Sequence, residues 1–413
     1  MNNNKTTFSI FIIGALFFVF GFVTWLNSVL IPFLKTACEL SDSKASLVPF
    51  AFYISYFVMA IPSSSILKRT GFTNGMALGL IVMAIGSLVF IPAALQRNYL
   101  LFLVGLFTQG TGLALLQTAT NPYVTILGPI ESAAQRISIM GICNKVAGMI
   151  GVLALYAALF SNTEHLLVHF DTITNVALRE KILQQLSHSV IFPYLIMTAV
   201  LIGLVIFIKL AKLPEILDEE KEDTKTEHHS IFSYPYLWFG IAAIFFYVGV
   251  EVVAIDYLIV YANKLQIPAE ISKYYPIAAL SALVVGYILG ISLTPKVISQ
   301  RTSLVINAFL GLTLALVALF THGVTSIYAV IGLSFAHAIM WPAIWPLSIH
   351  SLGKHTKLAS AFLIMAIAGG AVLPLIFGVI SDKFGIQNAY YVLLPGYAYL
   401  IFFATVLCKI KRW

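Results

Sequence analysis

A lysine and two carboxylates stand where the chain around them is otherwise apolar. Lys145 lies within GICNKVAGMIG, and Glu251 and Asp256 lie within YVGVEVVAID. In such stretches a charge costs about 3 kcal/mol or more on insertion scales, so it persists only when paired or facing water. Its usual work is to carry an ion or hold a polar cargo. Uncharged groups of a second kind accompany the three. Thr24, Asn27 and Ser28 recur at three- to four-residue spacing, Gln117 and Asn121 are four apart, and Asn144 is next to Lys145. His337, Trp341, Trp345 and Ser348 form another helical series. Amides and carboxylates match hydroxyls as donors and acceptors, and an indole face covers an apolar ring. Together these groups suit binding of a small, hydroxyl-rich solute beside an ion. Each also has a plainer use. Amides bond between membrane helices for about 1 kcal/mol or less, tryptophans anchor at membrane interfaces, Lys145 fits a structural salt bridge, and His337 fits a packing role.

Glu251 and Asp256 are five residues apart, which in an unbroken helix is a rotation of about 140°. Either the helix breaks near Gly249 or the two acids do different work. The expectation is that Asp256 pairs with Lys145, while Glu251 binds cargo or the coupling ion. Loading a carboxylate with H+ or Na+ would loosen its hold on the lysine. Gly141, Asn144, Gly148 and Gly151 form a stripe of mostly small residues that predicts close packing against another helix.

The elements that must position these groups follow from composition. The chain of 413 residues is 60% hydrophobic and 10% charged, against about 25% charged in soluble domains. Mean hydropathy is +0.93. Apolar runs of bilayer-spanning length fall near 9–34, 46–66, 75–95, 99–127, 137–160, 189–210, 235–263, 272–294, 302–321, 325–351, 357–380 and 388–410. This is an all-α membrane protein of twelve helices. The N-terminal MNNNKTT leads into a helix read as retained rather than cleaved. Residues 161–188 read as a polar, amphipathic surface element. Residues 211–232 are highly charged and read as a flexible linker. The division is therefore 1–210, a six-helix bundle; 211–232, a linker; and 233–413, a second six-helix bundle.

Of the 24 lysines and arginines, fifteen fall on the side of the linker and both termini, eight fall on the other, and Lys145 is in the membrane. The bias puts the linker and both termini in the cytoplasm. The formal charge of +7 is spread through short loops, which excludes a nucleic-acid surface. Cys38, Cys143 and Cys408 are too scattered for a disulfide framework or zinc site. No nucleophile–base set, phosphate loop or metal cluster is visible, which argues against a membrane enzyme. The halves also correspond. Asn121-Pro122 ends helix four, and Trp341-Pro342 and Trp345-Pro346 interrupt helix ten. Proline-broken helices at matching positions of two halves point to a central binding site.

Two six-helix halves around a charged linker resemble the major facilitator superfamily. The loop Lys68-Arg69-Thr70-Gly71-Phe72 matches its signature loosely, without the usual aspartate. More specific are GFVTWLN at 21–27, QTATNPY at 117–123, Arg136-Ile137-Ser138 leading to Asn144-Lys145, YVGVEV at 247–252 and MWPAIWP at 340–346. These resemble the fucose–galactose–glucose permeases, especially their bacterial glucose/galactose-type members. The resemblance implies two pseudo-symmetric six-helix bundles and import of a monosaccharide, a glucose- or galactose-like hexose or an amino sugar, by alternating access. It implies coupling to H+ or Na+ and no other cofactor. Substrate contacts would come from Asn27, Gln117, Asn121, Asn144, Glu251, His337, Trp341 and Trp345, and ion coupling from Glu251, Asp256 and Lys145. It also implies a monomer among lipids of the bacterial inner membrane. The family's fucose–proton symporter carries carboxylates at the positions of Ser28 and Gln117, so any coupling acid here must lie elsewhere. An uncoupled uniporter, or an exporter of another polar solute, would keep the same fold.

Overall fold

A computed structural model describes residues 3–126, 133–160, 175–211, 230–294, 297–349, 352 and 355–410. The expected linker falls mostly outside the described residues, as do 161–174 of the surface element. Side chains of 121–126, Asn121 included, are also outside them.

The described residues are helical almost throughout. In chain order the α-helices are α1 (Asn3–Trp25), α2 (Asn27–Ala37), α3 (Asp42–Ala45), α4 (Leu47–Leu95), α5 (Tyr99–Ile126), α6 (Ala133–Phe160), α7 (Val176–His188), α8 (Ile191–Ala211), α9 (Pro235–Asp256) and α10 (Leu258–Lys264). Then follow α11 (Ala269–Ser272), α12 (Tyr275–Leu293), α13 (Gln300–Phe320), α14 (Val324–His337), α15 (Met340–Ile349), α16 (Thr356–Met365), α17 (Gly369–Phe384), α18 (Ile386–Ala389) and α19 (Leu393–Thr405). Among the described residues, eleven stretches are long and apolar enough to cross a bilayer. One of them, Asp42–Leu95, is 54 residues long. Gly71 turns the chain inside it with φ 76°, a conformation that costs glycine little. Leu67 there lies against Gly75, although a straight helix would hold residues eight apart about 12 Å from each other. That stretch therefore crosses twice, and the twelve expected crossings are present. Large apolar side chains such as Phe192, Ile288, Phe309 and Phe402 are exposed on the outside, as a lipid-facing surface requires. The protein is an integral membrane protein.

Several crossings are irregular. The seventh breaks at Tyr257 between α9 and α10 (φ −100°, ψ 3°), whereas Leu26 between α1 and α2 and Ala338 between α14 and α15 keep helical φ and ψ and mark only local irregularities. The break that Gly249 would permit is absent, which leaves the alternative of different work for the two acids. α9 runs through Gly249 to Asp256, because that glycine serves packing: a Cβ there would meet Leu373 and, at 2.9 Å, the Gly369 carbonyl. In the tenth crossing Pro346 has no N–H for the carbonyl of Pro342. Gln300 at the start of α13 supplies the missing donor, 2.6 Å away, so the freed group is satisfied inside the protein.

Packing repeats between the two parts of the chain. In the first part α1 lies on α6, and a Cβ on Gly21 would stand 1.7 Å from the Asn144 carbonyl oxygen. In the second part α9 lies on α17, and a Cβ on Gly369 would stand 1.8 Å from the Phe245 carbonyl oxygen. Both contacts bring backbones together as only small residues allow. The small stripe of α6 is divided between two neighbours: Gly148 and Gly151 meet Trp25 and Phe22, while Gly141 faces the Tyr287 ring on α12. α7 is capped by the Asn175 side chain, which accepts from the Leu178 amide. It docks across the end of α4 through Ser187 and Gln184, which donate to the Ala94 and Leu95 carbonyls. These are carbonyls that a helix end leaves without a partner of its own.

Candidate functional site

Lys145 of α6 and Glu251 of α9 meet across the molecule. The Nζ lies 3.2 Å from Glu251 Oε1, and both residues are only 7% exposed. The same ammonium sits 4.0 Å from the centroid of the Trp25 ring, within cation–π range. Trp25 Nε1–H donates to Asn144 Oδ1 at 3.0 Å, and Asn144 Nδ2 reaches the Phe17 carbonyl at 3.5 Å. Gly148 of α6 lets the indole into this position, since a Cβ there would lie 2.4 Å from Trp25 Cδ1. A lysine, a carboxylate, an indole and an amide therefore converge between the two parts of the chain.

Asp256 lies elsewhere. It is fully buried, and neither carboxylate oxygen has a hydrogen-bond partner. In this structure Lys145 is held by Glu251 and not by Asp256, the acid preferred from the sequence for that pairing in one state. The cause is the continuity of α9: with no break at Gly249, the 140° between the acids is kept, and only Glu251 faces α6. Tyr247, one turn before Glu251, extends the same face toward the aromatic groups of α14 and α15. Its ring is 6.1 Å from His337 and 6.3 Å from Trp341.

The other candidates divide. Gln117 donates to the Tyr56 hydroxyl at 3.1 Å. Asn27 is buried, with its side-chain amide beside the Tyr53 hydroxyl. Trp341 and Trp345 stack at 5.4 Å, and Trp341 is half-buried. Along the tenth crossing His337 and Trp341 both border the Tyr247 ring and Trp341 stacks on Trp345, so that series lies on one side of the crossing. Ser28 bonds the Trp25 carbonyl at 2.8 Å. His337 is fully buried and its Nε2 is engaged with the Tyr397 hydroxyl at 2.7 Å. Ser348 bonds the Ile344 carbonyl and packs on Gly240. Trp25, Tyr56, Tyr247 and Tyr397 were missed by residue spacing. Trp25 lies within GFVTWLN beside Asn27, and Tyr247 is four residues before Glu251, which were the available signals.

One end of the molecule is closed by a polar latch. Asp382 near the end of α17 accepts from the backbone amides of Asp42 and Ser43 at 2.8 and 2.9 Å and from the Ser43 hydroxyl, so a carboxylate of the second part caps the start of α3. Asp42 in turn pairs with Lys35, accepts from Ser381 Oγ at 2.7 Å, and has Lys264 Nζ at 3.9 Å. Gly378 allows this approach, since a Cβ there would lie 2.8 Å from the Asp42 carbonyl oxygen. A cavity of about 340 Å³ opens beside the latch, lined by Lys35, Glu39, Arg179, Asn263 and Lys264 among others. Asp382→Ala is expected to loosen this end. A cysteine placed at buried Ile31, in a background without the three native cysteines, should then react several-fold faster with a membrane-impermeant maleimide. An unchanged rate would remove the latch from the account.

Comparison with known proteins agrees with this architecture. The family model of the Major Facilitator Superfamily matches residues 13–367. The glucose/galactose transporter of Brucella abortus biovar 1 (strain 9-941) is 33% identical over 402 residues, covering 97% of this chain and 94% of that protein. The L-fucose-proton symporter of Escherichia coli (strain K12) is 30% identical over 383 residues, covering 90% and 86%. The crystal structure of the transporter FucP in the outward conformation superposes with a TM-score of 0.76 at 28% identity, covering 97% of this chain and 98% of that one.

Proposed function

The chain belongs to the major facilitator superfamily, and from that premise we propose that it imports a monosaccharide by alternating access, coupled to H+ or Na+. It is a transporter and not an enzyme, as its relatives are. The substrate in this reading is a glucose- or galactose-like hexose or an amino sugar, and the membrane is the bacterial inner membrane with both termini in the cytoplasm. The working units are the bundles 1–210 and 233–413, joined by 211–232.

The observation that carries the reading is the Lys145–Glu251 pair, buried between the two parts and bordered by Trp25 and Asn144. A sugar arriving here meets carboxylate and amide groups for its hydroxyls and indole faces for its ring. Asn27 and Gln117 extend the polar lining, and Trp341 with Trp345 supplies the stacking surface. Because the pair joins the two parts, a hydroxyl that competes for Glu251 also weakens the bond between them. Binding is thereby linked to rocking of the halves about the site. The latch at one end is the kind of contact that such rocking must make and break.

The test is counterflow of labelled hexoses in proteoliposomes containing the purified protein, with variants at the stacking surface. Trp341→Ala is expected to raise KM about tenfold or more, whereas Trp341→Phe, which keeps a ring, stays close to wild type. Equal KM values for the two variants would take Trp341 out of the site. Absence of counterflow with glucose, galactose, fucose and glucosamine would remove the sugar reading.

A further inference from the structure

Asp256 is a buried carboxylate at the centre that the binding site leaves unused. It is fully buried, both oxygens are without a donor, and Lys145 is engaged by Glu251. A bare carboxylate charge in those surroundings is not sustained, so something of positive charge must neutralise it. We propose that Asp256 carries the coupling ion, that the ion is a proton, and that Glu251 is the lysine's resting partner. The proposal rests on the sugar-transport reading above and deepens it by dividing the work between the two acids.

Three observations support this division. Asp256 is the last residue of α9, and the crossing breaks at the next residue, Tyr257. An acid at such a hinge changes surroundings when the crossing bends. Its charged neighbours are Glu251 and Lys145 on one side, while Tyr257, next in the chain, lies within electrostatic range of Asp42 of the latch. The Tyr53 hydroxyl of α4 is also nearby. Asp256 therefore stands between the binding centre and the closed end, where an ion entering from that end would be received. Finally, among the described residues no group of three or more His, Cys, Asp or Glu side chains gathers around Asp256, and a proton needs only the carboxylate.

The cycle follows from charge balance. With Asp256 as the neutral acid, Lys145 stays on Glu251. When bending brings Asp256 to water, its O–H bond breaks and the proton leaves to solvent. The new carboxylate then competes with Glu251 for Lys145, and the electrostatic setting of the sugar-binding acid changes with it. Reloading Asp256 from the opposite side returns the lysine to Glu251.

The experiment compares wild type, Asp256→Asn and Asp256→Glu in proteoliposomes, measuring galactose counterflow and accumulation under separate pH and sodium gradients. Asp256→Asn, a permanent mimic of the neutral acid, is expected to keep counterflow within about threefold of wild type and to lose accumulation entirely. Asp256→Glu is expected to keep pH-driven accumulation at a reduced rate. The proposal is overturned if Asp256→Asn accumulates sugar as wild type does, if only sodium drives the wild type, or if both variants lose counterflow. Absence of counterflow in the wild type would instead sink the sugar reading beneath it.

Discussion

Lys145→Met is expected to abolish transport and to lower stability by about 3–5 kcal/mol, the usual cost of removing one partner from a buried ion pair. The size follows from position. Glu251 is 7% exposed and its only ionic partner among the described residues is Lys145, so the lysine's loss leaves a buried carboxylate with tyrosine hydroxyls and no countercharge. Trp25 also loses the cation over its ring. The double variant Lys145→Met/Glu251→Gln removes both charges. It should recover most of the lost stability, because replacing a whole buried pair by uncharged groups is often neutral. Transport should not return, because sugar ligand and interdomain tie are both gone. Thermal unfolding of the purified protein beside counterflow separates the two effects. A single variant as stable as wild type would mean that water or another cation already serves Glu251.

The second large effect is expected at the paired glycine contacts. Gly21→Val and Gly369→Val each place side-chain atoms against a backbone oxygen, with even the Cβ at 1.7 and 1.8 Å. No rotamer change relieves a clash with backbone, so α1 and α6, or α9 and α17, must separate. Overpacking of cores costs about 1–3 kcal/mol where side chains can yield, and here they cannot, so loss of folded, monodisperse protein is expected for both. Gly203→Ala on α8 is the control, since no atom lies within 4 Å of its Cβ. It should be neutral or stabilising by up to about 1 kcal/mol, the helix-propensity difference. Size-exclusion profiles of the three variants in detergent decide the matter. Normal expression of Gly21→Val would show that the α1–α6 approach is looser than described.

What could be read in the sequence was whatever repeats locally. Twelve crossings follow from runs of apolar residues, and the depth of Lys145, Glu251 and Asp256 follows from their neighbours along the chain. The family strings brought Asn27, Asn144 and the tryptophans of the tenth crossing to attention. Partnerships were not legible, because they join distant segments: Lys145 and Glu251 are 106 residues apart, and Asp382 caps a helix 340 residues before it. Asp42 and Asp382 look like ordinary loop charges until the two ends are brought together. Helical faces were legible: His337 and Trp341 both border the Tyr247 ring, and Trp341 stacks on Trp345. The partner each side chain takes was not, since Ser28 bonds the Trp25 carbonyl and His337 bonds Tyr397. Gly249 suggested a hinge from its residue type, yet its missing Cβ is used for packing against α17, and the hinge lies at Tyr257. A glycine in a membrane helix has both uses, and only the neighbouring helix decides between them.

The central claim is that a buried charge network converts an ion gradient into sugar accumulation. The most direct measurement is uptake of labelled galactose and glucose by the wild-type protein in proteoliposomes, with an inward pH gradient, an inward sodium gradient or neither. The account predicts accumulation above the external concentration under the pH gradient, collapsing when a protonophore is added. Equilibration without accumulation under every gradient would contradict it and leave Lys145, Glu251 and Asp256 as structural charges in a facilitator.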